Sequence, residues 1–150
     1  MKLDRDSTYT EAELAKAFPD VDPGFEPFGS RVIVQIRSPK TITQGGIILT
    51  DDDKDTEKWN TQIGKIRAIG SVAFRNRTTL DPWPEGNWVQ VGDYVRIPKF
   101  NQDKWEVDVE IGEKNIMGQS IPTRVLFMLI NDMDLLAKKI GNPLEVKAYV

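Results

Sequence analysis

Between positions 105 and 111 of this sequence, apolar and acidic side chains alternate without a break. The odd positions hold apolar residues and the even positions hold acidic ones, namely Trp105, Val107, Val109 and Ile111 against Glu106, Asp108 and Glu110. Only a β-strand places residues two apart on the same side of the chain, whereas a helix distributes both sets around its axis. The segment therefore predicts a strand with one apolar face and one face in water.

A second alternating segment begins at Arg31, where Val32, Val34 and Ile36 share one face and Gln35 points the other way. Shorter apolar segments predict further strands over residues 62–69, 93–97, 123–130 and 144–150. Glycine and proline separate these segments, as at positions 82–86. Short strands divided by turns predict an all-β fold, in the form of a small antiparallel barrel.

The first 26 residues differ in charge from the rest, because they are strongly acidic while residues 27–150 are nearly neutral. Within them, Thr10 and Glu13 fit a capping box that opens a short helix through about Phe18, before a proline. The sequence therefore predicts an N-terminal extension over residues 1–26, with one short helix, followed by a barrel domain over residues 27–150.

The residues after the predicted strand 123–130 have a helical pattern. Asn131 can cap a helix, and Met133, Leu136 and Ile140 recur at helical spacing. A glycine follows them and can end the helix. A second helix is therefore predicted here.

The composition excludes most catalytic chemistry. The 150 residues include no cysteine and no histidine, which removes thiolate and imidazole metal ligands, cysteine nucleophiles and triads with a histidine base. The formal net charge of −3 disfavours a groove that binds nucleic acid by neutralising phosphates. Every apolar run is too short for a membrane span or a secretion signal, so we expect a cytoplasmic protein.

The remaining patterns do not form a catalytic or metal site. The acidic stretch 51–55 has the spacing of a calcium loop, but Thr56 stands where that loop needs glycine. The pair Gly45 and Gly46 lacks the lysine of a phosphate-binding loop. We therefore predict that the chain is not an enzyme and holds neither a metal nor a cofactor.

Three tryptophans offer a different kind of candidate. Trp83 and Trp88 flank a predicted loop, where such rings either stack on nucleic-acid bases or pack against protein. No run of basic residues accompanies them, which favours packing. Trp105 alternates with apolar residues and is predicted to lie in the core. A β-barrel that binds a ligand or nucleic acid through Trp83 and Trp88 is kept as an alternative.

The stretch 37–62 is too long for an ordinary hairpin connection. Among polar and charged residues it contains a glycine pair followed by three aliphatic residues, Gly45, Gly46, Ile47, Ile48 and Leu49. Three such side chains have to be buried, either within the protein or on a partner. The pattern alone leaves both interpretations open, an ordinary strand leaving a turn or a docking segment.

Several segments taken together resemble the chaperonin-10 family, the GroES-type co-chaperonins. They occur in the order that the family has, over residues 27–34, 45–50, 64–70, 91–95, 125–128 and 132–137. The stretch 51–60, the region 71–90 and both termini are longer than in bacterial members. In this the chain is similar to virus-encoded co-chaperonins, for which the host cytoplasm is the expected location.

The resemblance implies an irregular chaperonin-10-like (GroES-like) β-barrel with a mobile loop over about residues 37–62 and a roof over about residues 71–90. It implies a co-chaperonin that forms a homo-heptameric ring, caps a group I chaperonin of the GroEL type and encloses a client protein. ATP would be bound by that chaperonin. The chaperonin-binding residues would be Gly45, Gly46, Ile47, Ile48 and Leu49. A viral assembly subunit that docks through Ile47, Ile48 and Leu49 is a further alternative.

Overall fold

The described part of the chain consists mainly of short strands. The computed structural model describes residues 11–38, 62–99, 103–110, 117–119 and 123–145. In chain order, its elements are helix α1 (Glu11–Ala17) and strands β1 (Arg31–Ile36), β2 (Ile63–Ile69), β3 (Tyr94–Arg96), β4 (Lys104–Val109), β5 (Thr123–Asn131) and β6 (Ala137–Lys138). Two 3-10 turns, Asp132–Asp134 and Pro143–Glu145, follow β5 and β6.

The strands form one antiparallel sheet in the order β4-β5-β1-β2-β3-β6. Strand β1 lies inside the sheet and pairs with β5 on one side and with β2 on the other. Strands β4 and β6 form the two edges of the described sheet. The predicted all-β architecture with one short N-terminal helix is confirmed, and strands β1 to β5 lie close to their predicted positions.

One face of the sheet covers the main core. Val32, Val34 and Ile36 point into it together, as the period of a strand requires. Strands β2, β3 and β5 add buried aliphatic side chains, and the region 71–90 adds Phe74 and Val89. The roof region predicted from the sequence is therefore attached to the barrel through the main core.

The opposite face of the sheet is also covered. Ile33, Val125 and Phe127 form a second buried cluster there, which we call the outer cluster, and Trp105 packs against it without being fully buried. Gln35 lies on this face, as the alternation in β1 predicted, and it is fully buried. The cover is residues 17–25, which we call the strap.

The prediction of a helix after residue 130 is wrong. Asn131 makes no side-chain cap, and only one 3-10 turn forms. The backbone N–H of Leu136 donates instead to the carbonyl oxygen of Arg96 at 3.0 Å, which joins this segment to the edge of β3. The strand edge satisfies backbone groups that a helix would have paired internally. Met133 and Ile140, which have helical spacing, are exposed.

Two further predictions fall partly outside the described residues. Thr10 of the capping box lies outside them, while the helix that it was predicted to open is present as α1. The strand predicted over residues 144–150 begins within a 3-10 turn, Pro143–Glu145. Residues 146–150 lie outside the described range.

Gly70 occupies a position where no side chain fits. A Cβ atom there would lie 2.1 Å from the carbonyl oxygen of Gly29 and 2.9 Å from that of Arg31. We expect Gly70→Ala to lower the free energy of unfolding by about 1–3 kcal/mol or more, because backbone atoms have to move. Gly86→Ala is the control, since that site is open and only its positive φ opposes a side chain, at about 1–2 kcal/mol. Urea unfolding measures both, and a smaller loss at Gly70 would contradict the expectation.

Candidate functional site

The predicted contact residues Gly45, Gly46, Ile47, Ile48 and Leu49 lie outside the described residues, but both ends of their segment are described. Ile36 of β1 pairs with Gly64 of β2, and the N–H of Arg37 donates to the carbonyl oxygen of Ile63 at 3.4 Å. Because β1 and β2 are antiparallel neighbours, the segment 39–61 leaves and re-enters the sheet at one place. We call residues 37, 38 and 62 the loop base.

The main core fixes the β2 side of the loop base. The side-chain amide of Gln62 donates to the carbonyl oxygen of Ile97 at 3.2 Å, and the N–H of Ile97 donates back to the carbonyl oxygen of Gln62 at 3.0 Å. Ile97 is fully buried. This reciprocal pair anchors the point at which the chain re-enters the sheet.

The strap fixes the β1 side. The N–H of Ser38 donates to the carbonyl oxygen of Ala17, the last residue of α1, at 2.7 Å. Ser38 and Ala17 are both buried. The N-terminal segment therefore holds the chain two residues beyond the end of β1.

The strap lies along a row of side chains that the strand register places next to one another across the outer face. From β3 to β4 the row is Tyr94, Lys65, Gln35, Phe127 and Trp105. Three of these five side chains contact the strap directly, so it is docked along the width of the sheet rather than at one end.

At the β3 end, the buried ring of Phe18 meets the ring of Tyr94 edge-on, with the centroids 5.0 Å apart. Burial raises the pKa of Tyr94. The carbonyl oxygen of Pro19 then accepts a hydrogen bond of 2.8 Å from the buried side-chain amide of Gln35. Gln35 points away from the main core, as the alternation in β1 predicted, and it is a polar anchor for the strap.

At the β4 end, the indole N–H of Trp105 donates to the carbonyl oxygen of Pro23 at 2.8 Å. The ring of Phe25 packs edge-on against Trp105, with the centroids 5.0 Å apart. Trp105 thus has a polar contact as well as an apolar one, which is the usual arrangement for a partly buried tryptophan.

Arg67 reaches the strap because the pairing of β2 with β1 shifts register at this residue and leaves it without a partner on β1. Such a bulge redirects the side chain. The guanidinium of Arg67 donates to the carboxylate of Asp20 at 2.8 Å and to the carbonyl oxygen of Val21 at 3.2 Å. The hydrogen bond from Arg67 to Asp20 and the positive charge of Arg67 lower the pKa of Asp20.

Asp132 anchors the roof region to the sheet. Its fully buried carboxylate accepts hydrogen bonds of 2.8 Å from the N–H of Phe74 and from the guanidinium of Arg77. Phe74 has a φ of 63°, a conformation that costs a residue with a side chain about 1–2 kcal/mol. The carboxylate therefore holds a strained turn in place, and its hydrogen bond raises the pKa of Arg77.

The rings of Trp83 and Trp88 pack against each other and against Phe74, with centroid distances of 4.8 Å between the tryptophans and 5.6 Å between Phe74 and Trp83. The indole N–H of Trp88 donates to the carboxylate of Glu85 at 3.1 Å. The two indole rings are packed against each other and against Phe74 instead of being presented for stacking on bases. The carboxylate of Glu85 beside them would repel the phosphate of a nucleic acid. This geometry favours the packing role predicted from the sequence.

Within the described ranges, no group of three or more acidic side chains is arranged to hold a metal ion. In the same ranges, no helix combines the length and the apolar character needed to cross a bilayer. The acidic stretch 51–55, which has partial calcium-loop spacing, lies outside them.

The family model of the chaperonin 10 Kd subunit matches residues 24–138. The chain belongs to the chaperonin 10 family. Co-chaperonin GroES of Pelagibacter ubique is 31% identical over 100 residues, which are 64% of this chain and 96% of that protein. Co-chaperonin GroES 1 of Rhodopseudomonas palustris is 32% identical over 98 residues, which are 63% of this chain and 92% of that protein.

These matches confirm the resemblance and the GroES-like fold, and they support a co-chaperonin function. The match to the chaperonin 10 model begins at residue 24, inside the strap. Helix α1 and residues 17–23 of the strap therefore precede the part of the chain that the family model describes, although they contact strands within it.

Sequence reasoning missed two features of this site. Asp132 is an acidic residue placed directly after the apolar strand β5, and that position is the only signal it gives. The strap binds the sheet mainly through the backbone carbonyl groups of Ala17, Pro19, Val21 and Pro23. Carbonyl groups are common to all residues, so the sequence carries no signal for these contacts.

Proposed function

We propose that this chain forms a ring-shaped lid on a GroEL-type chaperonin and closes the chamber in which a client protein folds. It would dock through Gly45, Gly46, Ile47, Ile48 and Leu49. The observation that carries the proposal is the loop base in a member of the chaperonin 10 family, because β1 and β2 present both ends of that segment at one place. We also propose that the chain binds rather than catalyses, that ATP is bound by the chaperonin, and that the chain itself needs no cofactor.

The chemistry of the docking segment fits this role. The glycine pair permits a tight turn and a close approach of the backbone to a partner. Burial of three aliphatic side chains contributes about 5–9 kcal/mol, at about 1.5–3 kcal/mol each. Ordering about ten loop residues opposes this by about 1 kcal/mol per residue. A single docking segment therefore binds weakly, as suits a lid that has to leave again.

A ring of identical chains converts weak docking into firm capture, because each contact after the first is intramolecular. Since β1 is paired on both sides, the edge strands of the described sheet that are available for joining neighbours are β4 and β6. We expect a heptamer of 17.0 kDa chains, with a native mass of about 119 kDa. Native mass spectrometry measures this directly. A monomer at micromolar concentration would count against the proposal.

A pull-down with a GroEL-type ring, with and without ATP, tests the function itself. We expect capture that depends on the nucleotide. Salt-sensitive binding to single-stranded DNA with no capture by the chaperonin would favour the tryptophan-based alternative. Stable retention in a viral particle without ATP would favour an assembly subunit. The virus-encoded origin and the host cytoplasm stay predictions.

A further inference from the structure

The strap ends at the point where the docking segment begins. The hydrogen bond from Ser38 to Ala17 is the last described backbone contact on the β1 side before residue 39. Phe18, next along the strap, is only 4% exposed and packs on Tyr94. The loop base is therefore held from one side by the N-terminal segment and from the other by the main core.

The strap has several anchors on the described sheet. Its anchors are the side chains of Gln35, Arg67 and Trp105, which belong to three different strands. The outer cluster beneath it supplies apolar contact through Val21. The sheet thus sets the position of the strap, and the strap holds Ser38 through the carbonyl oxygen of Ala17.

Release of the strap would leave Ser38 without the acceptor for its N–H group. The hydroxyl oxygen of Ser38 has no hydrogen-bond partner among the described residues. The hydrogen bond from its N–H group to Ala17 is therefore the contact that holds Ser38 to the strap. Without that contact, Ser38 would join the stretch of chain that has to be ordered when the loop binds, while Arg37 keeps its hydrogen bond to Ile63.

We propose that the strap is a positioning element for the chaperonin-binding loop, acting by holding Ser38 against Ala17. This rests on the proposed function. It reduces the number of residues that are ordered on docking, and it fixes the direction in which the chain leaves β1. Each backbone residue released adds about 1–2 kcal/mol of ordering entropy, which corresponds to about a tenfold loss of affinity per loop.

A matched pair of substitutions in α1 tests this in the full chain. Ala17 is buried against the loop base and Ala15 is exposed on the same helix. Ala17→Glu should displace the strap, because a carboxylate cannot be buried there without a partner. Ala15→Glu introduces the same residue into solvent and should leave the strap docked. Phe18→Ala, which only removes atoms, is the second releasing variant in case Ala17→Glu prevents folding.

Two measurements are made on each variant. Amide hydrogen exchange at Ser38 reports whether the strap is docked, and titration calorimetry with a GroEL-type ring and nucleotide reports affinity. For Ala17→Glu or Phe18→Ala we expect exchange at Ser38 to be at least about tenfold faster and binding of the ring to be weaker by at least about tenfold, because the losses at the individual loops combine over its contacts. For Ala15→Glu we expect both to match the unaltered chain.

The possible failures are distinguishable. If Ser38 exchanges faster while affinity is unchanged, the strap does not position the loop and the inference is wrong, although the proposed function stands. If neither releasing variant changes exchange at Ser38, the strap does not hold the loop base and the inference is again wrong. If the unaltered chain itself does not bind the ring, the proposed function fails and this inference fails with it.

Discussion

Ile48→Asp is expected to abolish capture by a GroEL-type chaperonin while leaving the melting temperature of the free protein almost unchanged. The substitution removes about 1.5–3 kcal/mol of apolar burial from each docking segment, and it adds the cost of desolvating a carboxylate. Because every chain of the proposed ring carries the change, the losses combine across all contacts. A pull-down with nucleotide and a thermal melt measure the two quantities.

Thr56→Asp is the matched control, because it adds the same carboxylate to the acidic part of the same segment. We expect it to leave both capture and melting temperature unchanged. A fall of many degrees for Ile48→Asp would place Ile48 in a folded core, where an unpaired charge costs several kcal/mol. That result would remove Ile48 from the binding site.

Asp132→Ala is expected to lower the free energy of unfolding by about 1–3 kcal/mol. The substitution leaves the buried N–H of Phe74 without an acceptor, at about 1–3 kcal/mol, and it removes a charged hydrogen bond to Arg77. Arg77 is 47% exposed and regains water, so its lost pairing adds little. Urea unfolding at a fixed chain concentration measures the change, because the stability of any oligomer depends on concentration.

Asp134→Ala provides the comparison, since Asp134 lies two residues away in the same 3-10 turn and is exposed. We expect a change within about 0.5 kcal/mol for this variant. Equal effects of the two substitutions would mean that the turn matters as a whole and that the carboxylate of Asp132 is not the anchor of the roof region.

Alternation predicted the strands well because the main core is built from it. Val32, Val34 and Ile36 point to one side in the sequence pattern and in the structure. The pattern could not predict that Gln35 is buried. The strap that covers Gln35 comes from 16 residues earlier in the chain, and the periodicity of β1 carries no information about which segment covers its second face.

The incorrect prediction of a helix after β5 also results from a contact between distant segments. Met133, Leu136 and Ile140 have the spacing of an apolar helix face, and local propensity favoured that conformation. The backbone groups of this segment instead form hydrogen bonds with the edge of β3. A contact between segments far apart in sequence thus overrode a local preference, as commonly happens for short elements.

The contact of Asp132 with the roof region could not be predicted either, because its two partners are far apart in the sequence. Asp132 and Phe74 are 58 residues apart, and neither has a neighbour that identifies the other. By contrast, the proposed docking segment was predicted from a local motif, Gly45, Gly46, Ile47, Ile48 and Leu49, through its resemblance to the family. Local motifs can be read from a single sequence, whereas anchors formed by tertiary contacts cannot.

The positions of the aromatic rings give this protein built-in optical reporters. The chain has four tryptophans: Trp83 and Trp88 lie together in the roof region, Trp105 lies under the strap with its indole N–H bonded to Pro23, and Trp59 belongs to the segment that contains the docking motif. Variants that retain only one of these sites would report separately on the roof, the strap and the loop through emission wavelength and quenching. The kinetics of the proposed docking can therefore be followed region by region in the unlabelled protein.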